Sequence, residues 1–109
     1  MKKILIIDDE RAIRSTLKEI LEFEKYEVDD AEDGTVGLKY IESKSYDLIF
    51  CDIKMPKMDG IEFLERKMKS ESYCPIIMIS GHGNIETAVQ ALKKGAYDYI
   101  EKPLDLNRV

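Results

Sequence analysis

Three short apolar runs constrain this chain more than any other feature: Ile4-Leu5-Ile6-Ile7, Leu48-Ile49-Phe50-Cys51 and Ile76-Ile77-Met78-Ile79. Without polar alternation, runs this short read as strands buried on both faces. Each stops on a polar group: Asp8, Asp52 or Ser80. Pro56 then bars the middle strand from continuing as a central ladder member. Residues 26–31 form a weaker strand whose acids suggest a sheet edge, and residues 96–100 a fifth strand.

Helical patterns separate the strands. Ile13, Leu17, Ile20 and Leu21 form a stripe over residues 11–24. Asp33-Gly34 breaks the chain, and residues 35–43 place Val36, Tyr40 and Ile41 inward. Gly37 should weaken that helix by roughly 1 kcal/mol relative to alanine. Asp59 is a natural N-cap for a third helix to about residue 70, with Ile61, Leu64 and Met68 buried. Asn84 can cap a fourth, with Ile85, Ala88, Val89 and Leu92 on one face, closed by Lys93-Lys94-Gly95. Residues 104–109 begin a fifth. Strand and helix alternate five times, which implies an α/β fold: a doubly wound parallel sheet covered on both faces by right-handed crossovers.

A length of 109 residues suits one domain, and 44% hydrophobic with 36% charged residues suits a globule. The net charge of −5 argues against direct nucleic-acid binding, which needs clustered cations. Cys51 and Cys74 have no metal-ligand spacing and read as reduced thiols. No apolar run approaches the ~18–20 residues of a membrane span. The first aliphatic run meets Asp8-Asp9-Glu10 too soon for a signal peptide, so the expected location is cytoplasmic.

Parallel strands put their carboxyl ends on one side, where open α/β sheets bind ligands. Asp8 and Asp9, Asp52, Ser80 and Lys102 should therefore converge. Two carboxylates about 4 Å apart repel by roughly 4 kcal/mol at an effective dielectric near 20. One lysine cannot balance three of them, so either a carboxyl protonates or a divalent cation enters. An all-oxygen set with room for water suits Mg2+. Asp52 could then attack phosphorus and carry an acyl phosphate, with Lys102 neutralising the phosphoryl oxygens and Ser80 donating a hydrogen bond. Singly, each residue has a plainer role: Asp8 or Asp9 as a helix cap, Ser80 as a turn residue, Lys102 as a surface lysine, His82 as an exposed loop histidine, Tyr97 and Tyr99 as half-buried strand aromatics.

At these residues the sequence resembles the receiver domain of two-component response regulators. The shared segments are Ile7-Asp8-Asp9-Glu10, Cys51-Asp52-Ile53-Lys54-Met55-Pro56, Met58-Asp59-Gly60, Ile79-Ser80-Gly81-His82-Gly83 and the run from Gly95 to Pro103. The resemblance implies a flavodoxin-like strand order 2-1-3-4-5. It makes Asp52 the phosphoacceptor, and Asp9, Asp52 and the Lys54 backbone carbonyl Mg2+ ligands, with Asp8 acting through water. Ser80 would be the switch hydroxyl, Tyr99 the switch aromatic and Lys102 the phosphate-binding lysine. Lys54 and His82 would tune acyl-phosphate lifetime, and the Lys102-Pro103 bond would be cis. The implied donor is a sensor histidine kinase, and the implied output is a conformational change at the fourth helix and fifth strand.

The Ser-Gly-His-Gly run and the segment ending in Lys102-Pro103 look most like receivers of enhancer-binding transcriptional activators of the nitrogen-regulation type. Those carry further output domains, which are absent from this chain, and homodimerisation stays open. The final helix is shorter here than in the family. The expectation is therefore one receiver domain over residues 1–109, excised from a longer protein, with a truncated last helix and a partly uncovered sheet face. Two alternatives share the fold. A Mg2+-dependent phosphatase would usually place an acid two residues after the nucleophile, where this chain has Lys54. A flavin or nucleotide carrier would need a glycine-rich loop after the first strand, and none is there.

Overall fold

The structure, a computed structural model, describes residues 2–55, 57–69, 74–81 and 85–102. In chain order the elements are β1 Lys3–Ile7, α1 Arg11–Phe23, β2 Glu27–Ala31, α2 Gly34–Ser43, β3 Leu48–Asp52, α3 Gly60–Met68, β4 Ile76–Ser80, α4 Ile85–Lys93 and β5 Asp98–Glu101. The five strands form one parallel sheet in the order β2-β1-β3-β4-β5. This is the expected flavodoxin-like arrangement, with the chain doubling back from β1 to β3.

Alternation along β1 splits the core. Ile4 and Ile6 pack with Leu17 and Leu21 of α1, Val28 and Phe50 on one face of the sheet. Leu5 and Ile7 pack on the other face with Phe63 and Leu64 of α3 and Ala88 and Ala91 of α4. On the α1 face, Ile4, Leu21, Tyr26, Phe50, Ile77 and Tyr97 border an open groove of about 450 Å³. The expected truncated last helix falls on residues 104–109 and lies outside the described residues. Among the described residues, no helix is long and apolar enough to cross a membrane.

The acids of β2 sit where an edge strand tolerates them. Asp29 accepts hydrogen bonds from Tyr46 Oη at 2.7 Å and Lys44 Nζ at 3.1 Å. Asp30 pairs with Arg14 at 3.0 Å and Lys18 at 3.5 Å. At the end of α4, the Ala96 amide bonds to the Ala91 carbonyl and the Gly95 amide to that of Leu92. Gly95 has φ of +118°, the left-handed closure that glycine favours.

Three expectations are corrected. The buried face of α3 is Gly60, Phe63, Leu64 and Lys67, while Met68 is 51% exposed and Ile61 half-buried. In α4, Ala88 and Ala91 face the sheet, and Val89 and Leu92 are exposed; small residues let the helix approach the strands closely. Tyr97 precedes β5 and is 69% exposed, so only Tyr99 is a half-buried strand aromatic.

Asp33 does more than break the chain. It is the N-cap of α2, accepting from the Val36 amide at 3.0 Å. Gly37 belongs to the same helix, and its cost in propensity has a packing reason. A Cβ there would lie 2.5 Å from Ile7 Cδ1 and 3.2 Å from Phe63 Cε1, both in fully buried side chains. The ~1 kcal/mol propensity gain of alanine then competes with overpacking of about 1–3 kcal/mol. Gly37→Ala is expected to lower the urea midpoint, and a raised midpoint would show that Ile7 repacks freely.

Candidate functional site

The carboxyl ends of β1, β3 and β4 and the residue after β5 meet as the parallel arrangement requires. Asp52 is the last residue of β3 and 3% exposed, Asp8 follows β1 and is fully buried, and Ser80 ends β4 fully buried. Ligand oxygens of Asp8, Asp9, Glu10 and Asp52 all lie within 4.8 Å of one another. Lys102 reaches over them: Nζ is 2.5 Å from Glu10 Oε1, 3.3 Å from Asp52 Oδ2 and 3.5 Å from Asp8 Oδ2.

Local structure holds each group. Asp8 Oδ1 accepts from the Glu10 amide at 2.8 Å, and Arg14 Nη1 donates to the Asp8 carbonyl at 2.7 Å while its Nε holds Asp30. The capping reading of Asp8 is therefore set aside: the N-cap of α1 is Glu10, and it makes no side-chain cap. The loop after Asp52 is clamped where the Gly60 amide donates to the Ile53 carbonyl at 2.7 Å. Lys102 is tied to β4 through its amide, which donates to the Ser80 carbonyl at 2.8 Å.

Two buried polar atoms, Asp8 Oδ2 and Ser80 Oγ, have no hydrogen-bond partner among the described residues. Leaving a buried hydroxyl such as Ser80 Oγ without a hydrogen bond costs about 1–3 kcal/mol, and Asp8 Oδ2 has only the Lys102 ammonium at 3.5 Å, so both are groups that a ligand would satisfy.

The crowding shows in the titration. Burial, then the charge of Asp8, push the Asp52 carboxyl up to about 7, against the opposing pull of Lys102. Burial likewise raises Asp8, although its bond from the Glu10 amide and the charge of Lys102 work the other way. Burial disfavours the Lys102 charge, but Glu10, Asp8 and Asp52 outweigh it and hold the ammonium above the ordinary lysine value. Cys51, wholly enclosed beside Asp52, is pushed well above the usual thiol range by burial, which makes it an inert core residue.

Asp8, Asp9, Asp52, Ser80 and Lys102 are thus brought to one place. Lys54 follows β3 with an exposed side chain, and Tyr99 sits half-buried in β5 paired with Met78. His82 and Pro103, with the Lys102-Pro103 peptide, lie outside the described residues. Glu10 and Arg14 were not singled out from the sequence. Glu10 is part of the acidic triplet, and Arg14 stands one helical turn after it, which was the available signal.

The acidic oxygens are a hard donor set, and Asp8 Oδ2, with only Lys102 at 3.5 Å, makes no hydrogen bond among the described residues. The residues present therefore fit an oxygen-loving divalent cation such as Mg2+.

Comparison with known proteins agrees with the fold. The response regulator receiver domain matches residues 4–109. The nitrogen assimilation regulatory protein NtrX of Azorhizobium caulinodans is 45% identical over 108 residues, 97% of this chain and 24% of that protein. The regulatory protein AtoC of Escherichia coli is 36% identical over 109 residues, all of this chain and 24% of that one. The crystal structure of the receiver domain of NtrX from Brucella abortus superposes with a TM-score of 0.91 at 43% identity, covering 96% of this chain and 89% of that one. The chain spans about a quarter of the length of these curated relatives. With its fold, its acidic pocket and this match over nearly its whole length, the chain belongs to the response regulator receiver domain family, signalling modules rather than turnover enzymes.

Proposed function

We propose that the chain is the phosphoryl-accepting module of a longer transcriptional regulator, and that Asp52 takes the phosphoryl group from a phosphohistidine of a sensor kinase. The observation that carries this reading is Asp52 itself: a buried carboxylate at a strand end, facing Lys102 at 3.3 Å, beside a buried hydroxyl with no hydrogen-bond partner among the described residues. In the transfer, an Asp52 oxygen forms a bond to phosphorus as the P–N bond breaks, and the imidazole leaves with the electron pair and takes up a proton. Asp9, Asp52 and the Lys54 carbonyl would hold Mg2+, with Asp8 acting through water. When bound, the ion supplies neutralisation of the phosphoryl oxygens.

Lys102 turns its ammonium to the same oxygens, and Ser80 donates its hydroxyl hydrogen to them. Because Lys102 and Ser80 share a backbone hydrogen bond, their movement passes directly into β4 and β5. Tyr99 lies on that path, and α4, which packs against β4 and β5, carries exposed Val89 and Leu92. A changed face there would alter affinity for an output domain, a kinase or a second copy, as a shift between two populated states. Lys54 and His82 would set how long the phosphoryl group lasts.

Intact mass after treatment with acetyl phosphate and Mg2+ tests the reading. The expected result is one adduct of ~80 Da, absent in Asp52→Asn and lost over minutes to hours. Rapid multiple turnover of phosphate esters would instead favour a phosphatase.

A further inference from the structure

The nearest anion to Lys102 is not the proposed acceptor. Nζ is 2.5 Å from Glu10 Oε1, against 3.3 Å to Asp52 and 3.5 Å to Asp8. Glu10 stands at the N-cap of α1, where a side chain ordinarily bonds the first-turn amides, yet it makes no such bond. Its carboxylate reaches instead to a lysine 92 residues away. It is also the outermost partner: its side chain is 56% exposed, against 4% for Asp52 and none for Asp8. The lysine thus divides its bonding between this rim carboxylate, the nearest of the three, and the acceptor, to which it also donates at 3.3 Å.

We propose that Glu10 is a latch on Lys102, a positioning residue that takes the closer share of the ammonium until a phosphoryl group arrives and thereby slows modification of Asp52. The inference rests on the phosphoacceptor reading of Asp52 and adds a rate-setting element to that site. A solvent-facing ion pair is weak, so its release changes a rate by a factor of about two to five. That suits a contact that must break at every phosphorylation. Removal of either partner's charge frees the other.

The experiment measures the initial rate of the ~80 Da adduct from acetyl phosphate at limiting Mg2+ in wild type, Glu10→Gln, Lys102→Met and the double variant. Glu10→Gln is expected to react about two- to fivefold faster with Lys102 present and to have no effect without it. An equal rate in wild type and Glu10→Gln overturns the latch. So does an acceleration that persists in Lys102→Met, which would mean that Glu10 merely repels the donor. A Mg2+ midpoint about tenfold weaker in Glu10→Gln also overturns it, since Glu10 would then be a metal ligand.

A second readout does not depend on phosphorylation. The Lys102 Cε resonance should change its chemical shift in Glu10→Gln at fixed pH, because the Nζ–Glu10 contact is lost, and an unchanged shift sinks the latch even where Lys102→Met reacts too slowly to time. Absence of any adduct on the wild-type protein would refute the acceptor reading, and the lysine resonance would still report on the contact.

Discussion

Gly60→Ala is expected to destabilise the protein by about 3 kcal/mol or more, the upper end of what overpacking costs. A Cβ on Gly60 would lie 2.2 Å from the Asp52 carbonyl oxygen and 2.8 Å from Ile53 Cα. Those atoms are backbone, so no side-chain rotation relieves the clash. Either α3 moves off the sheet, losing the burial of Phe63 and Leu64, or the end of β3 is displaced together with Asp52. Gly34→Ala is the control. Its Cβ would come no nearer than 3.1 Å to Met58, mostly to a flexible thioether chain, and it should cost under ~1 kcal/mol. Urea midpoints of the two variants check the contrast. Whatever Gly60→Ala protein still folds should also form the proposed Asp52 adduct more slowly, because the loop proposed to hold Mg2+ starts at the displaced backbone.

Asp52→Asn is expected to abolish the adduct and, without metal, to make the protein more stable. The Asp52 carboxyl titrates near 7 when folded, against 3.8 for the ordinary group, so between those values the folded chain binds more protons than the unfolded one. Wild-type stability therefore falls as pH rises from about 4 through about 7, and at pH 8 the buried carboxylate is fully charged and opposes folding. Three pH units would amount to ~4 kcal/mol. The lysine and the mutual coupling of the acids share that sum, so the gain in Asp52→Asn at pH 8 is set at about 2 kcal/mol. It should shrink towards zero as pH falls to about 4, where the native carboxyl is neutral as well. Added Mg2+ should close the gap at pH 8 by stabilising the wild type through binding. Thermal melts in chelator and in Mg2+ at several pH values measure this. A variant less stable than wild type at pH 8 in chelator would mean that Lys102 already neutralises the acceptor.

Much of this architecture was legible in one dimension. Ile4–Ile7, Leu48–Cys51 and Ile76–Ile79 are apolar without alternation, and the acids of the second strand placed it at the edge, where it lies. The rotation of the helices was not legible in the same way. In α3 two overlapping stripes are available, one through Ile61, Leu64 and Met68 and one through Gly60, Phe63, Leu64 and Lys67. Counting apolar residues chooses the first. The second is adopted with Gly60 lying directly on the backbone of β3, a contact that no hydropathy pattern encodes. In α4 the alanines face the sheet for a related reason: close approach of the helix axis outweighs the burial of larger side chains at Val89 and Leu92.

The amino-acid order by itself determined which residues would stand at the carboxyl edge, because five parallel strands leave their ends nowhere else to go. It thereby placed Asp8, Asp52, Ser80 and Lys102 in one pocket. Only the tertiary structure decided how they share their charges: that Lys102 favours Glu10, that Ser80 Oγ and Asp8 Oδ2 make no hydrogen bond among the described residues, and that Asp52 titrates near neutrality. The reason is physical. Periodicity reports which side of an element faces inward, whereas Coulomb energies and desolvation depend on ångström separations and on the depth of each oxygen, and these exist only once distant segments have packed.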